Sequence, residues 1–163
     1  MTVEIPLSSR KYPGLVALVD DEDYELVAGY TWYPMKHGRT FYAQAHVPGS
    51  GHRGKNVRMH RLIRPDIVDE IDHEDRNGLN NTQANLRPAN RSHQLANQGK
   101  RTGGTSQYKG VSLDKSRGKW AAYIQVARKT VNLGRYDEEI EAARAYDAAA
   151  HDHFKEFAAL NFP

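Results

Sequence analysis

The chain has 163 residues, 39% of them apolar, a mean hydropathy of −0.78 and a formal charge of +3. That length admits one domain or two small ones around a modest core, and no run approaches the ~18 apolar residues of a membrane helix. The absence of cysteine excludes disulfides and zinc–thiolate centres.

The first residues, MTVEIPLSSRKYPG, lack the basic and apolar regions of a secretion signal, so a cytoplasmic protein is expected. Residues 1–19 read as β. Val3, Ile5 and Leu7 alternate with polar positions, and Gly14 precedes the apolar run LVALV. Four acids, Asp20 to Asp23, then lead into YELVAGY. Acids suit the positive end of a helix dipole, so residues 21–28 are expected to be a short capped helix. That reading is preferred over a second metal site. Strands are expected over 31–35, 41–47 and 56–60, separated by turns at 36–38 and 48–51. They form an antiparallel meander. His60, set among apolar residues in RMHRLI, is read as a packed histidine rather than a catalytic one.

The next stretch, IDHEDRNGLNNTQANLRPANRSHQLAN (71–97), is dense in carboxylate, imidazole and carboxamide groups. Those groups hold hard or borderline cations and activate water. Asp72 and His73 end a short strand over 69–73. Asn77-Gly78 marks a turn in the loop over 76–81. Residues 85–87 form a second extended piece. Asn90 or Ser92 then caps a helix reaching about Gln98 and carrying His93, Gln94 and Asn97. Two short strands and a helix around a metal ion are expected; the composition alone equally allows a polar, Asn-rich surface loop with no metal.

Residues 98–107, QGKRTGGTSQ, read as a basic linker whose Lys100 and Arg101 can lie along DNA. Strands follow over 108–113, 119–126 and 129–136, with turns at 116–118 and 127–128. In the second strand Trp120, Ala122, Ile124 and Val126 share one face, and Lys119, Ala121, Tyr123 and Gln125 the other. From Asp137 the period becomes helical, with Ile140, Ala143, Tyr146, Ala150, Phe154 and Phe157 on one side. One helix over about 138–156 packs on a three-stranded antiparallel sheet. His151 and His153 near its end are read as solvated groups suited to the dipole rather than as a metal site. The fold class is therefore α+β.

Charge is unevenly spread. Residues 1–50 hold 4 basic and 6 acidic residues, whereas residues 86–135 hold 11 basic residues against Asp114 alone, a net of +10. Such a block points to a polyanionic partner, and double-stranded DNA is expected.

The segment MHRLI, the Asp72-His73 pair, the spacing of twelve to Asn85, and NLRPA with an Asn/Gln-rich helix after it resemble the HNH nuclease family in its phage and intron homing-endonuclease branch. The resemblance implies an N-terminal meander leading into a ββα-metal motif. It implies Asp72 as metal ligand, His73 as general base, and Asn85 as the residue that orients the loop and the histidine. The position nine past Asn85 is Gln94, flanked by His93 and Asn97, so the helix ligand is one of these three. The expected cofactor is a divalent ion, Mg²⁺ or Mn²⁺.

The pieces YKGV (108–111), GKWAAYI (118–124), LGRY (133–136), EAARAYDAAA (141–150) and LNFP (160–163) resemble the plant ethylene-responsive-factor, or APETALA, type of DNA-binding domain. The resemblance implies a sheet that enters the major groove. Tyr123, Gln125, Thr130 and Asn132 stand where plant members carry charged or aromatic readers, so the fold is expected to carry over and the sequence specificity is not.

The expected organisation is an HNH domain over residues 1–98, with a β-rich region over residues 1–65 and the metal motif over residues 66–98. A linker over residues 99–107 and a DNA-binding domain over residues 108–163 follow. The residues expected to meet DNA are Arg87, Arg91, Lys100, Arg101, Lys109, Lys115, Arg117, Lys119, Tyr123, Gln125, Arg128, Lys129 and Tyr146. The expected protein is a metal-dependent DNA endonuclease of a bacterial or phage-infected cell, nicking as a monomer or weak dimer. The alternative is a non-catalytic DNA-binding regulator with a degenerate nuclease motif.

Overall fold

The computed structural model describes residues 1–47, 49, 54–100 and 102–163. Pro48, Ser50 and Gly51 of the expected turn, and Arg101, lie outside the described residues. Antiparallel sheets and a few short helices form two compact units, Met1–Asn90 and Arg91–Pro163. Among the described residues no helix is long and apolar enough to cross a membrane.

The first unit opens with strands Thr2–Pro6 (β1) and Val16–Asp20 (β2), paired antiparallel with Ile5 opposite Ala17. A 3-10 turn at Asp21–Asp23 leads into the short helix Tyr24–Ala28 (α1), as the acid-rich start predicts. Neither Asp20 nor Asp23 caps it through a side-chain hydrogen bond. These acids instead receive Gln83, whose N–H reaches Asp20 Oδ2 at 2.8 Å and whose amide reaches Asp23 Oδ2 at 2.9 Å. Trp32–His37 (β3), Thr40–His46 (β4) and Asn56–Arg58 (β5) form the expected meander in the order β3-β4-β5.

The third strand of the meander stops two residues before its expected end. Met59 and His60 belong to a helix, Met59–Ile63 (α2). A run as short as MHRLI suits either period. Helix wins because Met59 and Ile63, four apart, both reach the core. That core gathers Val19, Val27, Trp32 and Met59, and each such side chain contributes about 1.5–3 kcal/mol on burial. The Trp32 indole N–H is satisfied by the Val27 carbonyl at 2.9 Å. Finally Glu70–His73 (β6) pairs antiparallel with Leu86–Ala89 (β7), setting His73 opposite Leu86 and Asp72 opposite Arg87.

The second unit begins with the helix Arg91–Asn97 (α3). The sheet comprises Val111–Asp114 (β8), Lys119–Val126 (β9) and Lys129–Tyr136 (β10), in the order β10-β9-β8, and the helix Glu139–Phe154 (α4) covers one face. Small residues allow this contact, with Ala122 of β9 buried against Ala142 and Ala143. The β9–β10 turn puts Ala127 and Arg128 at positive φ, 49° and 66°, as a two-residue type I′ hairpin requires.

β8 starts at Val111, not at the expected Tyr108, because the chain first passes beneath α4 at Gly110. There φ is +75°, and a Cβ would lie 2.0 Å from the Tyr146 ring, so glycine is required on both counts. Thr105 and Ser106, in the stretch read as linker, are tied into this unit: Leu113 N–H donates to Thr105 Oγ1 at 2.9 Å and Tyr108 N–H to Ser106 Oγ at 2.9 Å. Asn161 closes the unit. It receives the Lys109 N–H at 2.7 Å, returns its amide to the Lys109 carbonyl at 3.2 Å, and donates its own N–H to Asp147 of α4 at 2.9 Å.

Candidate active site on the β6–β7 hairpin

β6 ends on Asp72 and His73, which sit only 8% and 5% exposed. Successive strand residues face opposite ways, so the pair points to two environments. Asp72 meets Arg87 across the hairpin, with Oδ2 accepting from Nε at 3.1 Å and from Nη2 at 3.0 Å. Arg87 also reaches Glu74 at 3.6 Å. His73 turns toward Asn81.

Asn81 is fully buried and was not singled out by sequence. The loop carrying it is clipped to β2, since Leu18 N–H donates to the Leu79 carbonyl and Asn81 N–H to the Leu18 carbonyl, both at 2.8 Å. The Asn81 amide nitrogen donates to the Leu79 carbonyl at 3.1 Å and approaches Met59 Sδ at 3.4 Å. Its oxygen therefore faces His73 Nε2, at 3.4 Å. An amide oxygen only accepts, so this contact favours the tautomer with the proton on Nε2.

Asn85 holds the loop from its other end. Its oxygen accepts the Asp75 N–H at 3.0 Å, and its amide donates to Asp75 Oδ1 at 3.0 Å and to the Asn80 carbonyl at 2.7 Å. The Asn77-Gly78 turn is needed for space, not for positive φ. A Cβ on Gly78 would lie 2.5 Å from the Phe41 carbonyl and 2.8 Å from the Tyr42 ring.

That Tyr42 ring belongs to an aromatic trio. Tyr42, His60 and His73 stack edge to face, with centroids 5.7 Å apart for Tyr42–His60, 5.6 Å for Tyr42–His73 and 5.2 Å for His60–His73. Burial is the first cause that pushes His73 below the usual histidine range, opposed by the Asn81 hydrogen bond and by Asp75 and Asp72. His60 is held at about 3, first by burial and then by His73, Arg58 and Arg61. Burial also raises the Tyr42 hydroxyl. Both imidazoles are neutral at pH 7, so His73 is in the form that accepts a proton. His60 is packed, as its apolar setting predicts, and belongs to the surroundings of His73.

The three helix candidates lie on α3, in the second unit. The His93 ring lies flat on Phe157, with centroids 4.0 Å apart and planes 15° apart. Gln94 is half-buried and Asn97 buried. Among the described residues no group of three or more His, Cys, Asp or Glu side chains is gathered for a metal.

Over 155 residues the chain is 31% identical to an uncharacterized HNH endonuclease of Acanthamoeba polyphaga mimivirus, across 91% of this chain and 75% of that protein. The chain belongs to that HNH endonuclease family. Residues 106–153 match the AP2 domain. In that region the chain is similar to the AP2/ERF and B3 domain-containing transcription factor of Arabidopsis thaliana, 45% identical over 58 residues, 36% of this chain and 17% of that one. It is similar as well to the APETALA2-like protein 2 of Oryza sativa subsp. indica, 47% identical over 49 residues, 29% of this chain and 11% of that one. The HNH family member thus carries an AP2 domain that makes up only a small fraction of these plant proteins.

Within the AP2 region the expected DNA residues have different surroundings. Lys115, Arg117, Gln125, Arg128 and Lys129 are exposed. Arg117 pairs with Asp114 at 3.2 Å and Lys119 with Asp137 at 3.0 Å. Tyr123 is half-buried on the sheet. Lys109 Nζ donates to the Ala96 carbonyl and lies 5.7 Å from the centre of the Tyr146 ring. Tyr146 itself is 4% exposed and packs over Gly110, so it is a core residue of this unit and not a surface contact. Outside the AP2 region Arg91 is exposed and Lys100 half-buried, while Arg87 is committed to Asp72.

Proposed function

We propose that this protein is a metal-dependent DNA endonuclease of the homing type, cutting duplex DNA held by its AP2 domain. His73 carries the reading. It is a buried, neutral imidazole beside a carboxylate, with Nε2 facing the Asn81 amide oxygen. A positioned base of this kind contributes roughly 10²–10⁴-fold. In the reaction the His73 imidazole takes a proton from water, and that water attacks the phosphodiester. Asn85 and Asn81 keep the loop and the imidazole in place while the proton moves.

Mg²⁺ is held by one or two carboxylates and keeps several waters, so Asp72 is the carboxylate that would hold Mg²⁺ or Mn²⁺, with waters and substrate oxygens completing its shell. Such an ion, when bound, stabilises charge on the phosphodiester and on the leaving oxygen. One base and one ion cut one strand, so nicking by a monomer or weak dimer is the default. If six to eight of the basic residues reach phosphates, log K falls with log salt at a slope of roughly −5 to −7.

A second reading, a non-catalytic DNA-binding regulator, is favoured by one observation: Arg87 already neutralises Asp72. A supercoiled-plasmid assay with Mg²⁺ or Mn²⁺ separates the two. Wild type is expected to nick and His73→Ala to lose nicking while keeping DNA binding. Equal behaviour of the two, with both bound to DNA, refutes the nuclease. Competition by RNA at matched salt tests whether duplex DNA is the substrate.

A further inference from the structure

We infer that the open face of the C-terminal sheet reads adenine, so that the duplex this protein selects carries A·T pairs at its centre. The inference rests on the DNA-binding reading above and adds the base class. α4 covers the face bearing Val111 and Ala122. The strand register fixes what the other face shows. Tyr123 lies opposite Asn132, and Gln125 opposite Thr130. Gln125, Thr130 and Asn132 are exposed and Tyr123 half-buried. These four form a two-by-two block of neutral hydrogen-bonding groups.

Guanine is read best by a bidentate arginine or lysine, whereas adenine is read by the amide of glutamine or asparagine, which accepts from N6 and donates to N7. The arginines at the Asp114 end of the sheet are engaged with that carboxylate, and the exposed Arg128 and Lys129 stand at the hairpin tip outside the block. Arg135, opposite Ala121, gives its Nε to Asp114 at 3.0 Å, and Arg117 pairs with the same carboxylate. The Ser116 hydroxyl and these two guanidinium groups hold Asp114 well below the usual carboxylate range. It therefore stays charged and keeps this end of the face tied to itself. The amides are what the block offers to a base. Asn132 is held in position because its oxygen accepts the Gly134 N–H at 2.9 Å across the bulge, and its amide hydrogens can meet N7 of either purine, so the choice of adenine falls to Gln125.

The dimensions agree. A β-ribbon fits the major groove. Same-face residues along a strand are about 6.7 Å apart, close to two base-pair steps of ~3.4 Å. Tyr123 and Gln125 therefore address base pairs about two apart. Exposed Arg128 and Lys129 at the hairpin tip, and Lys115 at the opposite turn, are placed to hold phosphates, a contact that positions the protein without reading sequence.

The test is a selection from a random duplex library with the full-length chain in EDTA at ~0.15 M salt, where binding is read without cleavage. The expected result is a site with adenine at one or more fixed positions. Replacing such an A·T pair by G·C should weaken binding roughly 5- to 100-fold. Gln125→Arg should move the preference at one position to guanine, and Gln125→Ala should lower it below about 2-fold. Gln125 is exposed, so both variants should melt with the wild type. Duplex binding without base preference, a guanine-centred site, or an unchanged site in Gln125→Arg overturns this inference and leaves the nuclease reading standing. Failure to bind any duplex at low salt overturns both.

Discussion

Removing the Asn81 side chain tests the geometry around His73 directly. Asn81→Ala takes the acceptor from His73 Nε2 and one of two donors from the Leu79 carbonyl, which keeps the Leu18 N–H. A buried polar group stripped of its partner costs about 1–3 kcal/mol. The 3.4 Å contact to His73 belongs at the weak end and the Leu79 carbonyl keeps one partner, so about 1–3 kcal/mol is expected in all. For a unit of this size that lowers the melting midpoint by on the order of 15 °C, read by thermal unfolding of the full chain. The decisive measurement is an NMR titration of His73, which needs no nuclease activity. In the wild type Asn81 raises the pKa against the stronger lowering by burial. Asn81→Ala should therefore move His73 further down, and Asn81→Asp, which sets a carboxylate beside Nε2, should move it up. If His73 titrates at one pH in all three proteins, or both variants shift the same way, the Asn81–His73 arrangement is wrong.

Acid should weaken the first unit. His60 is protonated near 6.5 when unfolded and near 3 when folded, so the unfolded chain binds the extra proton as pH falls through 6.5. Stability present above that pH is lost progressively down to about 3, by about 2 kcal/mol at pH 5; His73, shifted the same way, adds to it. Melts from pH 7.5 to 5 should show the loss, and a flat profile would contradict the buried neutral trio. In the second unit, Asn161→Ala removes the side-chain bonds to Lys109 and Asp147. It should cost about 2–4 kcal/mol, seen as a lower midpoint for that unit alone, and an unshifted melt would show the closure to be dispensable.

Where structure follows from local pattern, the sequence was sufficient. The strict alternation of KWAAYIQV and the Ala127-Arg128 turn place β9 and β10 at their observed bounds, and the helical period after Asp137 places α4 within two residues at either end. Asp72, His73 and Asn85 were legible as a chemical group because of their types and spacing. What could not be read is what distant segments bring. Asn81 gains meaning only from Met59 and the β2 edge, and Gln83 reaches Asp23 across 60 residues. The second asparagine of Asn80-Asn81 was visible, but no local rule distinguishes a solvent-facing amide from one buried against a histidine. MHRLI failed for a different reason: five apolar-rich residues satisfy both periods, and tertiary packing chose.

The Asn161 tie has a bearing on the order in which the second unit assembles. The β9–β10 hairpin needs only neighbours, and α4 only its own turns. Lys109 and Asn161 meet across 52 positions, so their loop must be closed last, and closing a long loop is slow relative to local pairing. On a ribosome the sheet and helix therefore form before they are locked, and the unit becomes rigid only once residue 161 has emerged. Clipping the final few residues would leave the hairpin intact and its register with α4 unset.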